Sequence, residues 1–125
     1  MQVCGLLGGL SWASSMDYYR LMNQEVGRQL GGLHSSRVIL NSLDLHDYAT
    51  MAANSDFVGI TKLIKDASEM MQKGGAEFLV ICSNTAHVAA KELEADTGSL
   101  PLLHIADCTA HAIKVFKFFP PFLCV

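Results

Sequence analysis

The sequence predicts a single α/β lobe, Rossmann-like and three-layered, with a parallel sheet of about four strands flanked by helices. Three observations predict it. Apolar runs of strand length, at residues 2–7, 37–42 and 77–82, alternate with amphipathic stretches of helical period. Glycine pairs punctuate them at Gly8-Gly9, Gly31-Gly32 and Gly74-Gly75. The run Phe78 to Ile81 then breaks off into Cys82-Ser83-Asn84-Thr85 before a helix begins, at the carboxyl end of a strand, where open α/β sheets bind ligands.

Taken in order, Gln2 to Leu7 reads as the first strand and Gly8-Gly9-Leu10-Ser11 as a tight turn. The turn lacks both the Gly-x-Gly-x-x-Gly spacing and a following Gly-Lys-Ser/Thr, so neither nucleotide fingerprint is met. Its glycines are read as serving positive φ, with close backbone approach to a ligand as the other reading. Ser11 either caps the next helix or faces the ligand, and Trp12 is expected in the core. The helix from about Ser14 to Leu30 carries Tyr18, Leu21, Met22, Glu25 and Val26 in an i, i+3, i+4 rhythm with one charged break, and Gly31-Gly32 ends it. Arg37 to Ser42 is the second strand, followed by an irregular stretch whose Asp44 and His46 lie on the same rim as residues 82–85.

Phe57 to Lys73 is a second amphipathic helix with Ile60, Leu63, Ile64, Ala67, Met70 and Met71 on one face. After the strand at 77–82 comes a helix over 86–96, capped by Asn84 or Thr85, whose free N–H groups suit an anion. A short strand Leu102 to Ile105 and a last helix from about Asp107 complete the pattern. Strand and helix in alternation imply right-handed crossovers between parallel strands.

Composition narrows the function. A net charge of −3 with no Lys/Arg cluster argues against nucleic acid as a partner. The apolar stretches fall short of the ~20 residues that span a membrane, and no basic segment precedes the first one, so neither a membrane span nor a signal peptide is expected. Cys4, Cys82, Cys108 and Cys124 are scattered without a Cys-x-x-Cys pair, which fits reduced thiols and a cytoplasmic protein. His104, Cys108 and His111 have helical ligand spacing, but His104 is expected to end a strand, so no metal is expected. From Val115 to Val125 the aromatic, Pro120-Pro121-containing tail departs from the α/β grammar. Residues 1–114 are therefore read as the lobe and 115–125 as a divergent tail.

The polar segment carries the chemistry. Cys82 is either an inert buried thiol or a reactive one, and Ser83, Asn84 and Thr85 cluster where a small acid would bind. His87 either supports that loop or is merely exposed. A thiol or hydroxyl beside a bound carboxylate points to acid/base work on a small acid.

These residues also carry a family resemblance. Gly5-Leu-Leu-Gly-Gly-Leu-Ser-Trp12, Tyr18-Tyr-Arg-Leu21, Gly31-Gly-Leu-His-Ser35, Gly75-Ala-Glu-Phe78, Ile81-Cys-Ser-Asn-Thr-Ala-His87 and Pro101-Leu-Leu-His-Ile-Ala-Asp107 together resemble the aspartate/glutamate racemase family, in particular its broad-specificity amino-acid branch. The resemblance implies a two-base proton transfer at the α carbon without cofactor or metal, in a fold of two similar lobes that each supply one acid/base. It implies Ser83 as the catalytic group of this lobe, with Cys82 as the alternative, and Asn84 and Thr85 as holders of the substrate carboxylate. Leu10 and Ser11 would contribute contacts from the glycine turn, and the ligand the resemblance implies is a small amino acid or dicarboxylate. A homodimer is one assembly it leaves open.

Three departures qualify the resemblance. Ser83 stands where the family commonly has cysteine, although the broad-specificity branch also carries a hydroxyl there. A hydroxyl is a weaker base than a thiolate, which implies unequal rates in the two directions or reliance on the other lobe. Ala52 stands where that branch has a glutamine. After Lys114 the second lobe does not follow, and Cys124 lacks the surroundings that would activate it. The expectation is a racemase lobe that does little alone, the alternative being a non-catalytic binding or interaction module.

Overall fold

The computed structural model describes residues 1–116. Its central strand is β1, Val3–Gly8, buried along nearly all its length because both neighbours pair with it. On one side lies β2, Arg37–Ser42, in parallel register from Val3 opposite Arg37 to Gly8 opposite Ser42. On the other lies β3, Phe78–Ile81, also parallel, from Cys4 opposite Phe78 to Leu7 opposite Ile81. The order β2-β1-β3 leaves β2 on an edge, which is why its Leu40 remains exposed.

The described sheet has three strands where about four were expected. At the expected fourth position one parallel bridge pairs Leu102 with Leu79, held by Leu79 N–H to the Pro101 carbonyl and Leu103 N–H to the Leu79 carbonyl, each 2.9 Å. The ladder stops there because Ile105 already begins a helix, two residues earlier than the sequence predicted.

Each face of the sheet has its own cover, sorted by strand alternation. Leu7, Leu79 and Ile81 point to one face and pack with Ile60, Ile64, Ala67 and Met71 of α3, Phe57–Lys73. Cys4, Leu6, Val80 and Cys82 point to the other and are packed by Tyr18 and Met22 of α1, Trp12–Leu30. Two core assignments fail. Trp12 is 70 % exposed at the first turn of α1, and Met70 is 66 % exposed, since at its position on α3 it faces away from the Ile60-Ile64-Ala67-Met71 stripe.

The stretch after β2, expected to be irregular, is helix α2, Leu45–Ala53. Asp44 caps it by accepting the His46 N–H at 2.8 Å, so these two residues build a helix start and do not reach the strand-end pocket. The glycine turn behaves as read: Gly9 has φ +89° and its α carbon lies against the Leu43 backbone, where any side chain would overlap the carbonyl.

After β3 the expected single helix is split into a 3-10 turn, Thr85–Ala89, and α4, Ala90–Ala95. Asn84 is itself in helical conformation, with φ −60° and ψ −46°, and its side chain caps nothing. The expected side-chain cap and α-helical anion site are thereby replaced by a tight 3-10 turn closed by His87 N–H on the Asn84 carbonyl at 3.1 Å. The last element, α5, is Ile105–Phe116. The end of the aromatic tail, with Pro120-Pro121 and Cys124, lies outside the described residues.

Candidate functional site

At the carboxyl ends of β1 and β3 the chain leaves an open pocket of about 330 Å³, lined by Leu10, Ser14, Tyr18, Cys82, Ser83, Asn84 and Ile105. Its walls come from the glycine turn, one side of α1, the loop after β3 and the start of α5. A wider hollow of about 430 Å³ lies against Phe57, Val58, Thr61, Lys62, Lys65 and Glu92. That hollow is a poorer candidate, because its lysines are engaged in ion pairs, Lys62 with Asp66 at 2.5 Å and Lys65 with Asp96 at 2.6 Å.

Hydrogen bonds fix the strand-end pocket. The Ser15 hydroxyl accepts the Gly9 N–H at 2.9 Å and donates to the Ser11 carbonyl at 3.1 Å, tying the turn to the first turn of α1. The Ser14 hydroxyl shares its proton between the carbonyls of Cys82 at 2.8 Å and Ser11 at 2.9 Å, bridging the glycine turn to the end of β3. Gly8 is needed beside them, since a Cβ there would overlap the Ser15 hydroxyl. Serines inside a helix often bond backward to their own carbonyls. Here that habit also joins two strand ends.

The candidate residues fall into two groups. Leu10, Ser83 and Asn84 line the pocket, Ser83 half-buried and Asn84 exposed. Ser11 and Thr85 sit one step behind: Ser11 offers its carbonyl to Ser14 and Ser15, and the Thr85 hydroxyl lies 3.1 Å from that of Ser83. Cys82 is buried on the α1 face, where loss of solvent pushes its thiol up to about 12. It is a neutral thiol at physiological pH, whereas proton abstraction needs a thiolate. Burial also raises the Tyr18 hydroxyl above its ordinary value, with Cys82 and Cys108 adding to the effect, so Tyr18 presents a protonated hydroxyl.

Among the described residues that line the pocket none is cationic. A carboxylate there would meet neutral donors, the Asn84 amide and the hydroxyls of Tyr18 and Ser83, because the one Ser14 proton is already given to the Cys82 and Ser11 carbonyls. Ser14, Tyr18 and Ile105 were not anticipated. The i, i+4 spacing of Ser14 and Tyr18 on one side of α1 was the signal, hidden because Tyr18 was counted as part of the apolar rhythm.

The metal spacing noted in the sequence forms no centre. The His104 ring caps α5, its Nδ1 accepting the Ala106 N–H at 3.1 Å, while Cys108 and His111 are exposed. Among the described residues no three His, Cys, Asp or Glu side chains gather as metal ligands. Nor is any described helix long and apolar enough to cross a membrane.

The lobe is a three-layer α/β fold whose open pocket, furnished with hydroxyl and amide groups, lies at the strand ends, where doubly wound sheets commonly bind ligands. The profile of the Asp/Glu/hydantoin racemase family matches residues 7–117, and the chain belongs to that family. Among solved structures it is similar to a candidate Asp/Glu racemase from Yersinia pestis, with 46 % identity and a TM-score of 0.88. That match covers 94 % of this chain and 50 % of that one. An aspartate racemase homologue from Pyrococcus horikoshii OT3 shares the fold at 21 % identity and a TM-score of 0.79, again with 93 % of this chain on 50 % of that one. The chain therefore spans half the length of each structure.

Proposed function

We propose that this chain contributes one half of an amino-acid racemase site of the aspartate/glutamate type, working by cofactor-independent two-base proton transfer at the α carbon in the cytoplasm. The observation that carries the reading is the pocket itself, which puts Ser83 and Asn84 of the β3 loop opposite Leu10 of the glycine turn. Asn84 and Thr85 hold the substrate α-carboxylate, Leu10 and Ser11 contribute the turn, and the Ser83 hydroxyl exchanges a proton with one face of the α carbon.

The chemistry explains why half a site does little. An α C–H is a weak acid, so rate comes from a base held at close range and from donors aimed at the developing charge. Ser83 has a hydroxyl for company, Thr85 at 3.1 Å, and no described carboxylate or imidazole bonded to its Oγ. Without such a base a serine is a feeble proton acceptor at neutral pH. Inversion also needs a second group on the opposite face. That group would come from a second lobe or a second copy of the chain.

The deciding experiment is hydrogen exchange at the α carbon, with purified full chain, D- and L-aspartate and D- and L-glutamate in heavy water. Deuterium without inversion, abolished by Ser83→Ala, supports a half-site. Inversion supports a second base supplied by another copy. A folded chain that binds these amino acids yet exchanges nothing overturns the catalytic role.

One observation favours a second reading, a non-catalytic interaction module. Trp12, Met16 and Tyr19 are exposed at i, i+4 and i+7 on one side of α1. A stable homodimer in sedimentation, lost when Trp12 and Met16 are replaced by serine, would support self-association through that stripe; a clean monomer would disfavour it.

A further inference from the structure

His87 lies on the 3-10 turn immediately after the candidate site residues, and its two ring nitrogens are used unequally. Nδ1 lies 2.7 Å from the Ser83 carbonyl, which can only accept, so Nδ1 carries the proton. Nε2 is buried and has no hydrogen-bond partner among the described residues. The ring packs on His104, centroids 4.5 Å apart and planes tilted by 51°. His104 has the opposite pattern: its Nδ1 accepts the Ala106 N–H at 3.1 Å, so its own proton is on Nε2.

A buried ring nitrogen without a partner is unusual where a phenyl or methyl side chain would fill the same space. The Nδ1 bond supplies a reason for an imidazole here. It holds the carbonyl of Ser83, and the same ring meets His104, the residue before Ile105, which also lines the pocket. We infer that His87 is a positioning residue for Ser83, acting through Nδ1–H alone, with His104 packed against the same ring. The inference rests on the proposed function only for what Ser83 does; the positioning is a property of the loop.

The test uses the full chain with ring-labelled histidine and long-range nitrogen–proton NMR at neutral pH. Expected are an Nδ1–H tautomer for His87 and an Nε2–H tautomer for His104; an Nε2–H tautomer at His87 overturns the proposal. Two variants separate the ring nitrogens, because the amide of His87→Asn replaces the Nδ1 donor whereas that of His87→Gln reaches toward Nε2. With aspartate as probe, His87→Asn should bind within about twofold of the parent and keep the amide shifts of residues 83–85. His87→Gln should move those shifts and weaken binding about tenfold, the usual consequence of losing a positioned hydrogen bond. Equal behaviour of the two variants overturns the proposal. Should both unfold, the parent's tautomer decides; should the parent bind no aspartate, the functional reading fails while tautomer and loop shifts still judge the positioning.

Discussion

The two faces of the sheet are built to different standards. Beneath α3, fourteen buried residues form one continuous cluster that draws on α2, the 3-10 turn and α4 as well. Beneath α1 the buried cluster has four, three from the strands and Cys82 just past the end of β3, and α1 itself buries only Ser15 among its nineteen residues. The pocket opens on the second, thinner side, where Ser14 and Tyr18 of α1 meet the loop after β3. Buried apolar contact is thus concentrated on one face, and the polar groups of the pocket lie on the other.

The comparison is most directly broken by truncating one side chain on each face. Ile64 is fully buried in the larger cluster, so Ile64→Ala should cost about 4 kcal/mol in urea unfolding, from lost burial plus the cavity left behind. Met22, partly buried on α1, should cost about 1 kcal/mol as Met22→Ala, because solvent and neighbouring side chains can close over the gap. Equal costs would mean that α1 is as firmly seated as α3.

A second contrast lies in the thiols. Burial holds Cys4 up at about 11 and Cys82 at about 12, against an ordinary value of 9.0. Well below pH 9 these thiols are neutral in both states and their burial is fully stabilising. As pH rises from 9 toward 12 the unfolded chain releases protons that the folded one keeps, so stability falls. In a Cys124→Ser background, urea midpoints should drop between about pH 8 and pH 10.5, and less so when Cys82→Ala is added. A thiol reagent near pH 8 should label exposed Cys108 and spare Cys4 and Cys82 until the chain unfolds. Rapid native labelling of Cys82 would mean that the α1 face opens, and would return a thiol to the list of reactive groups beside Ser83.

What was legible in the sequence follows the same division. The glycine stops and the apolar period located β1, α1, β2, α3 and β3, because each is long enough for periodicity to dominate. The nine-residue α2 was missed: its one buried side chain, Tyr48, leaves no period to read, although Asp44 is an ordinary cap. The fourth strand was overread, since Leu102-Leu103 is apolar but has room for one bridge before α5. At the pocket, Ser83 and Asn84 were singled out by their place at a strand end and Leu10 by the family resemblance, and all three are lining residues. Ser14 and Tyr18 were hidden because Tyr18 was counted in the apolar rhythm of α1, and the bond from His87 to the Ser83 carbonyl, four residues apart, depends on the 3-10 turn that takes the place of the expected helix start.

The smallest expected effect belongs to the outer surface of α1. Glu25 is fully exposed, and hydrogen bonds from Arg28 at 2.6 and 2.9 Å and from Gln29 at 2.7 Å hold its carboxyl down at about 2. Whatever it contributes is present above the ordinary carboxylate value of 4.5 and is lost as pH falls toward 2. Exposed pairs of this kind contribute little, because water screens the charges and two long side chains must be ordered. Glu25→Gln should therefore leave the urea midpoint at neutral pH nearly unchanged and flatten the acid limb of the stability curve slightly. A large loss at neutral pH would mean that α1 relies on its outer ion pairs for want of buried contacts, and the thin face would then be held by surface electrostatics, with salt dissolving it selectively.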